Sequence, residues 1–235
     1  MHTHPSRLKK QPLMRPANKN TDFYTANGLH VYFKDQFFND NIDVEEVVGK
    51  VEATLAPHLL DEVDMIIFGH FDEFEERSIN AFYDSGALYV SNVQNDFADL
   101  YDDLIHEISH SLENAHGWKI YGDQKVKDEF LRKRQYMHDI LWKAGFKAPK
   151  SFFMNTEYDK EFDMFLYEDV GYNNLSNLLT GLFISPYAAT SLREYFATGF
   201  TDFYLHSDHS ALEKVSPQLY QKLLILQDPK KLDTA

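Results

Sequence analysis

Residues 96–117 read DFADLYDDLIHEISHSLENAHG, and this stretch sets the expectations for the rest of the chain. Phe97, Leu100, Tyr101, Leu104, Ile105, Ile108 and Leu112 recur at helical spacing and form one apolar stripe. Asn95 or Asp96 is placed to cap the start, and Gly117 to end the helix in a left-handed turn near His116. On the side away from the stripe, His106-Glu107-x-x-His110 puts two imidazoles one above the other on one helical face, where one cation can bridge them. Glu107 follows the first histidine, so the helix can present its carboxylate beside a metal-held water as general base in peptide hydrolysis. The plainer alternative is a pair of solvated histidines on the outer face of an amphipathic helix.

The flanking sequence mixes strands and helices, which makes the fold class α+β. Leu29–Phe33 reads as a strand and Val44–Leu55 as a helix stopped by Pro57. An apolar run covers Val63–Phe68, and Asn80–Tyr83 and Ala87–Val90 form a hairpin across Asp84-Ser85-Gly86. Further on, residues 122–144 suggest a second long helix, 149–172 a polar and aromatic connection, and 173–205 a mainly helical return. A last helix starts at Ser216-Pro217 and runs to about Gln227.

At 235 residues and 43% hydrophobic content the chain can bury a sizeable core. The expected organisation is a flexible basic arm over residues 1–21 and a single catalytic domain over 22–235. The formal charge is −14, and because residues 1–21 carry five basic residues and no acid, the remainder sums to −19. Such a body disfavours nucleic acid as a partner. With no cysteine, any zinc site must be built from His, Asp and Glu. The start lacks the apolar core of a secretory signal and no stretch is apolar enough for a membrane span, so the expected setting is cytoplasmic or intracellular, delivery into a host cell or virion included.

A catalytic zinc site needs a third protein ligand. His116, six residues past His110, would give a metzincin-like pattern, but Glu113 stands where that pattern has glycine. On a continuous helix, moreover, His116 would lie about 9 Å further along the axis and turned by about 120°. The other candidate lies in Ser191-Leu192-Arg193-Glu194-Tyr195-Phe196-Ala197-Thr198-Gly199-Phe200. HEISH paired with a downstream Glu-x-Phe-Ala-x-x-Phe resembles the gluzincin metallopeptidases, most closely the branch containing anthrax lethal factor and the Pro-Pro endopeptidases.

That resemblance implies a zincin-like domain with a small mixed sheet, an active-site helix and a helical C-terminal half. It implies one Zn2+ per chain on His106, His110 and Glu194, with Glu107 as general base. Tyr187, seven residues before Glu194, would stabilise the oxyanion. Ala87, Leu88, Tyr89 and Val90 would belong to the edge strand that pairs with a peptide or protein substrate. The resemblance covers residues 29–120 and 173–205, leaving 118–172 as an insertion that shapes the cleft. The implied activity is endopeptidase hydrolysis, and the rival reading is a non-catalytic zinc-containing binding or structural protein with Glu113 or Asp103 as fourth ligand.

Several side chains carry weaker readings. Asp72, Glu73, Glu75 and Glu76 read as a solvated acidic loop, and His206, Asp208 and His209 as a polar helix end or a support for the metal ligands. Phe152, Phe153, Tyr158, Phe162, Phe165 and Tyr167 are either pocket lining or core. Oligomeric state and substrate sequence are not legible.

Overall fold

The computed structural model describes residues 21–77 and 79–232, so the expected basic arm lies almost wholly outside the described residues. The chain is α+β. Strands β1 (Phe23–Tyr24), β2 (His30–Phe33), β3 (Met65–Gly69), β4 (Ala81–Asp84) and β5 (Ala87–Ser91) form one mixed sheet in the order β1-β2-β3-β5-β4. β2, β3 and β5 run parallel, while β1 and β4 pair antiparallel to their neighbours at the two edges. Helix α1 (Val44–Thr54) makes the crossover from β2 to β3, capped by Asp43 and buried through Val44, Val47, Val48 and Val51.

The β4–β5 hairpin turns at Ser85 (φ 48°) and Gly86 (φ 88°), two left-handed residues that match the twist of an antiparallel pair. A side chain at Gly86 would also meet Asp64 Oδ2 at 2.8 Å. This hairpin overturns one expectation. β5 pairs with β3 from Met65↔Ala87 to Gly69↔Ser91 and with β4 on its other side. Ala87, Leu88, Tyr89 and Val90 are therefore an internal strand, and β4 is the edge. The acidic stretch also differs from the expected loop: it forms a short helix, α2 (Asp72–Arg77), because Phe74 is drawn under the sheet against Phe71 and Phe82.

Helix α3 (Phe97–Tyr121) is longer than its sequence suggested, and Gly117 is an ordinary helical residue within it. Asp96 caps its start, Oδ1 accepting from the amides of Ala98 and Asp99. The extra turn buries Ile120 and lets the Tyr121 hydroxyl donate to Glu113. Together these outweigh the roughly 1 kcal/mol that a mid-helix glycine costs.

The rest is helical: α4 (Lys125–Lys143), α5 (Lys150–Met154), α6 (Lys160–Met164), a π-helical turn (Phe165–Val170), α7 (Tyr172–Leu178), a 3-10 turn (Tyr187–Ala189), α8 (Leu192–Leu205), α9 (Ser210–Val215), α10 (Pro217–Leu226) and α11 (Pro229–Leu232). Residues 149–172, expected as a polar and aromatic connection, are thus largely helical. Phe130, Met137, Phe153 and Phe162, all from 118–172, share one hydrophobic cluster with Leu104 of α3 and Phe196 of α8. The aromatic readings separate by chemistry. Phe153, Phe162 and Phe165 go inside, whereas Tyr158 and Tyr167 stay at the surface.

Three buried charges tie the helices together. The Glu129 carboxylate accepts from the amides of Gln218 and Leu219 and from the Tyr195 hydroxyl, so it caps α10 in place of the Ser216 side chain, which makes no capping bond. Ser216 instead accepts from Lys133 Nζ at 2.8 Å. Arg134, 1% exposed, donates to the carbonyls of Ala189, Thr190 and Phe152, its guanidinium lying 4.0 Å from the centre of the Phe162 ring. Among the described residues no helix is long and apolar enough to cross a membrane.

Candidate metal centre

The apolar stripe of α3 packs toward the sheet and α1, and α8 lies across the opposite face. His106 and His110 therefore sit between two elements instead of facing solvent. His110 is itself buried, as are Ser109 and Ser111 beside it. This removes the plain reading of two solvated histidines.

α8 brings in the third group. Ser191 caps the helix, its Oγ accepting from the amide of Glu194 at 3.1 Å. A glutamate three residues past a serine cap commonly folds back on the cap amide. Here the carboxylate turns across to α3: Oε2 lies 3.0 Å from His106 Nε2 and Oε1 3.6 Å from His110 Nε2. Burial alone would raise the Glu194 pKa, but the two imidazoles and Arg193 hold it below the usual carboxylate range. The same contact acts on His106, where burial disfavours the charge yet the bond to Glu194 prevails and raises the pKa.

His106, Glu107 and His110 each offer a ligand atom, and these atoms lie within 4.8 Å of one another, a group able to hold a metal ion. With Glu194 facing both imidazoles, the donors are two nitrogens and carboxylate oxygen, a set that suits zinc. Glu107 Oε2 also accepts from the backbone amide of Tyr83 at 3.1 Å, so the edge strand β4 runs directly beside the helix. Tyr187 lies with its ring centre 6.2 Å from that of His106. The residue is 39% exposed, and partial desolvation of its phenol, with Glu194 and Glu107 nearby, raises the pKa above its ordinary value.

Glu113 has a role the sequence reading missed. Its Oε2 accepts from His110 Nδ1 at 3.0 Å and from Arg193 Nε at 2.9 Å, and its Oε1 accepts from the Tyr121 hydroxyl. Engaging Nδ1 leaves Nε2 of His110 as the nitrogen directed at Glu194, the tautomer control expected around metal-ligating histidines. Spacing of three on one helix was the available signal. Arg134 was also missed: by gripping the carbonyls of Ala189 and Thr190 it fixes the short turn between Tyr187 and the cap of α8. Nothing in the sequence around Arg134 points there.

The remaining candidates fall away. His116 stays on α3 with His58, Asp61 and Glu62 in its electrostatic surroundings, remote from Glu194, which rules out the metzincin-like arrangement. Asp103 is partly buried with Oδ2 unpartnered; burial, reinforced by Asp102 and Glu107, raises its pKa to about 7. His206 and His209 stand beyond the far end of α8, about 18 Å along the axis from Glu194, where His206 pairs with Asp202 and His209 stacks on Phe203. They form a polar helix end and do not support the metal ligands. No known family model, curated protein or solved structure matches the chain, so the reading of this centre rests on its own geometry and chemistry.

Proposed function

We propose that the chain is a zinc-dependent endopeptidase of gluzincin type on a zincin-like fold. The observation that carries this is the meeting of Glu194 with both HExxH imidazoles, delivered by a helix 84 residues further along the chain. His106, His110 and Glu194 would hold one Zn2+, which when bound supplies Lewis-acid polarisation of a peptide carbonyl and acidification of water.

The chain's own groups do the rest. Glu107 Oε1 and Oε2 take a proton from the attacking water and return it to the leaving amine, and its bond to the Tyr83 amide keeps the carboxylate turned toward the cleft. Tyr187 donates its phenolic hydrogen to the oxygen that becomes negative in the tetrahedral intermediate. An extended peptide would lie along β4, whose backbone already reaches Glu107. The non-catalytic alternative needs a fourth protein ligand, and Glu113 is an unsuitable one because both its oxygens are engaged by other side chains.

Zinc per chain, measured by elemental mass spectrometry on protein purified without added metal, tests the ligand set. One zinc in the wild type, lost in Glu194→Ala and kept in His116→Ala, is expected. Retention in Glu194→Ala with loss in His116→Ala would overturn it.

A further inference from the structure

We propose that Arg193 is a positioning residue of the metal centre: it pins the Glu113 carboxylate, and through it the His110 ring, while fixing α8 against α3 where Glu194 crosses. This rests on the ligand set proposed for zinc and deepens it with a residue that touches neither metal nor substrate.

Two consecutive residues of α8 reach across to α3. Glu194 faces His106 and His110, and Arg193 donates from Nε to Oε2 of Glu113 at 2.9 Å, three residues beyond His110. Neighbours on a helix point about 100° apart, so the pair meets α3 at two places instead of one. The apolar packing of Phe196 and Phe200 is non-directional and tolerates small rolls of α8 about its axis. Two polar contacts of fixed length do not, and they set the direction of the Glu194 carboxylate. The helix is secured from behind as well: the Leu192 amide donates to the Thr156 carbonyl at 2.8 Å, and Arg134 holds the turn before the Ser191 cap.

The Glu113 end is prepared for this contact. Its side chain is 9% exposed, and the oxygen that Arg193 meets is the one that accepts from His110 Nδ1 at 3.0 Å, while Tyr121 engages the other. Ion pairs between exposed side chains contribute little, because two flexible chains must be ordered in water. Here the carboxylate is already buried and ordered, so only the arginine is frozen, and the bond is charge-assisted. The Arg193 side chain is itself 57% exposed, and among the described residues it makes no other hydrogen bond or ion pair. Without it, Glu113 can turn from His110 toward the opening that the guanidinium fills. The ring then loses the acceptor that keeps its hydrogen on Nδ1 and leaves Nε2 free to bind metal.

The test is a double-substitution cycle on the full chain with two readouts: zinc affinity from chelator competition, and the His110 tautomer of metal-free protein from long-range 1H–15N NMR correlations. Arg193→Met should weaken zinc binding about tenfold, the lower end of the range for groups behind a metal ligand, and mix the His110 tautomers. Its melting temperature should stay within about 2 °C of the wild type. In a Glu113→Gln background the same substitution should have no further effect on affinity, because its influence passes through that carboxylate. Arg193→Lys keeps the charge without the Nε–H and should recover part of the loss. Wild-type affinity with an unchanged tautomer in Arg193→Met, or additive losses in the double variant, overturns the proposal. A lowered melting temperature alone does so too, since it marks a merely stabilising ion pair. A wild type that binds no zinc defeats the ligand set instead, and the NMR comparison then decides the positioning role by itself.

Discussion

Two buried clusters of charge flank α8, and they are finished to different degrees. On the α4 side, both oxygens of Glu129 are filled by two amides and the Tyr195 hydroxyl, Lys133 donates to Ser216, and Arg134 grips three carbonyls and leaves only its Nε without a partner. On the α3 side, His106, His110 and Glu194 crowd one another, Glu107 borrows an amide from β4, and Asp103 keeps a bare oxygen. Buried charges whose bonds run mostly to backbone groups hold a fold together, and those that crowd one another keep reactive groups within reach of a ligand. Glu113 links the two styles, fully engaged itself and directing a histidine that is not.

Substitutions should separate these roles. The largest effect is expected from Glu107→Gln: turnover of any cleaved peptide falls about 10³- to 10⁴-fold, while zinc content and melting temperature stay at wild-type values. Retained turnover would remove Glu107 as the base. Next comes Arg134→Met, which strips three carbonyls of their donor in the closed cluster. It should cost about 3 kcal/mol, read as a melting temperature lower by roughly 6–12 °C. A shift within 2 °C would show, on the scale of about 2–4 °C per kcal/mol, that water replaces the guanidinium without penalty.

Glu113→Gln should lower zinc affinity about 10- to 100-fold in a chelator competition, with a smaller effect on melting. Unchanged affinity would mean that His110 needs no tautomer control. The smallest effect belongs to Asp103. Its folded pKa of about 7 stands above the ordinary 3.8, so the folded state binds the proton more tightly than the unfolded state does. Its contribution to stability is therefore complete below pH 3.8 and is lost as pH rises to about 7. In metal-free protein, Asp103→Asn should remove this slope and raise stability by about 1–2 kcal/mol at pH 8, with little change at pH 4. Parallel pH profiles for the two proteins would show that Asp103 is already ionised at neutral pH.

The amino-acid sequence by itself determined what depends on neighbours along the chain. Asp96 as cap, His106 and His110 on one face of α3, the Ser85-Gly86 turn and the start of α10 at Pro217 all follow from local spacing and backbone preference. The approach of Glu194 to the histidines was legible only through a resemblance, because no periodicity links positions 84 residues apart. Tertiary structure decided what depends on covering and completing surfaces. α8 closes the polar face of α3, and β5 becomes internal because β3 pairs with its whole length. α3 runs past Gly117 because Ile120 and Tyr121 find partners there. Glu129 takes the place of the Ser216 side chain at the start of α10 because a buried carboxylate needs donors, and the Ser216 hydroxyl, itself fully buried, already accepts from Lys133. In each case a buried polar or apolar group required a partner that only the folded chain could bring to it.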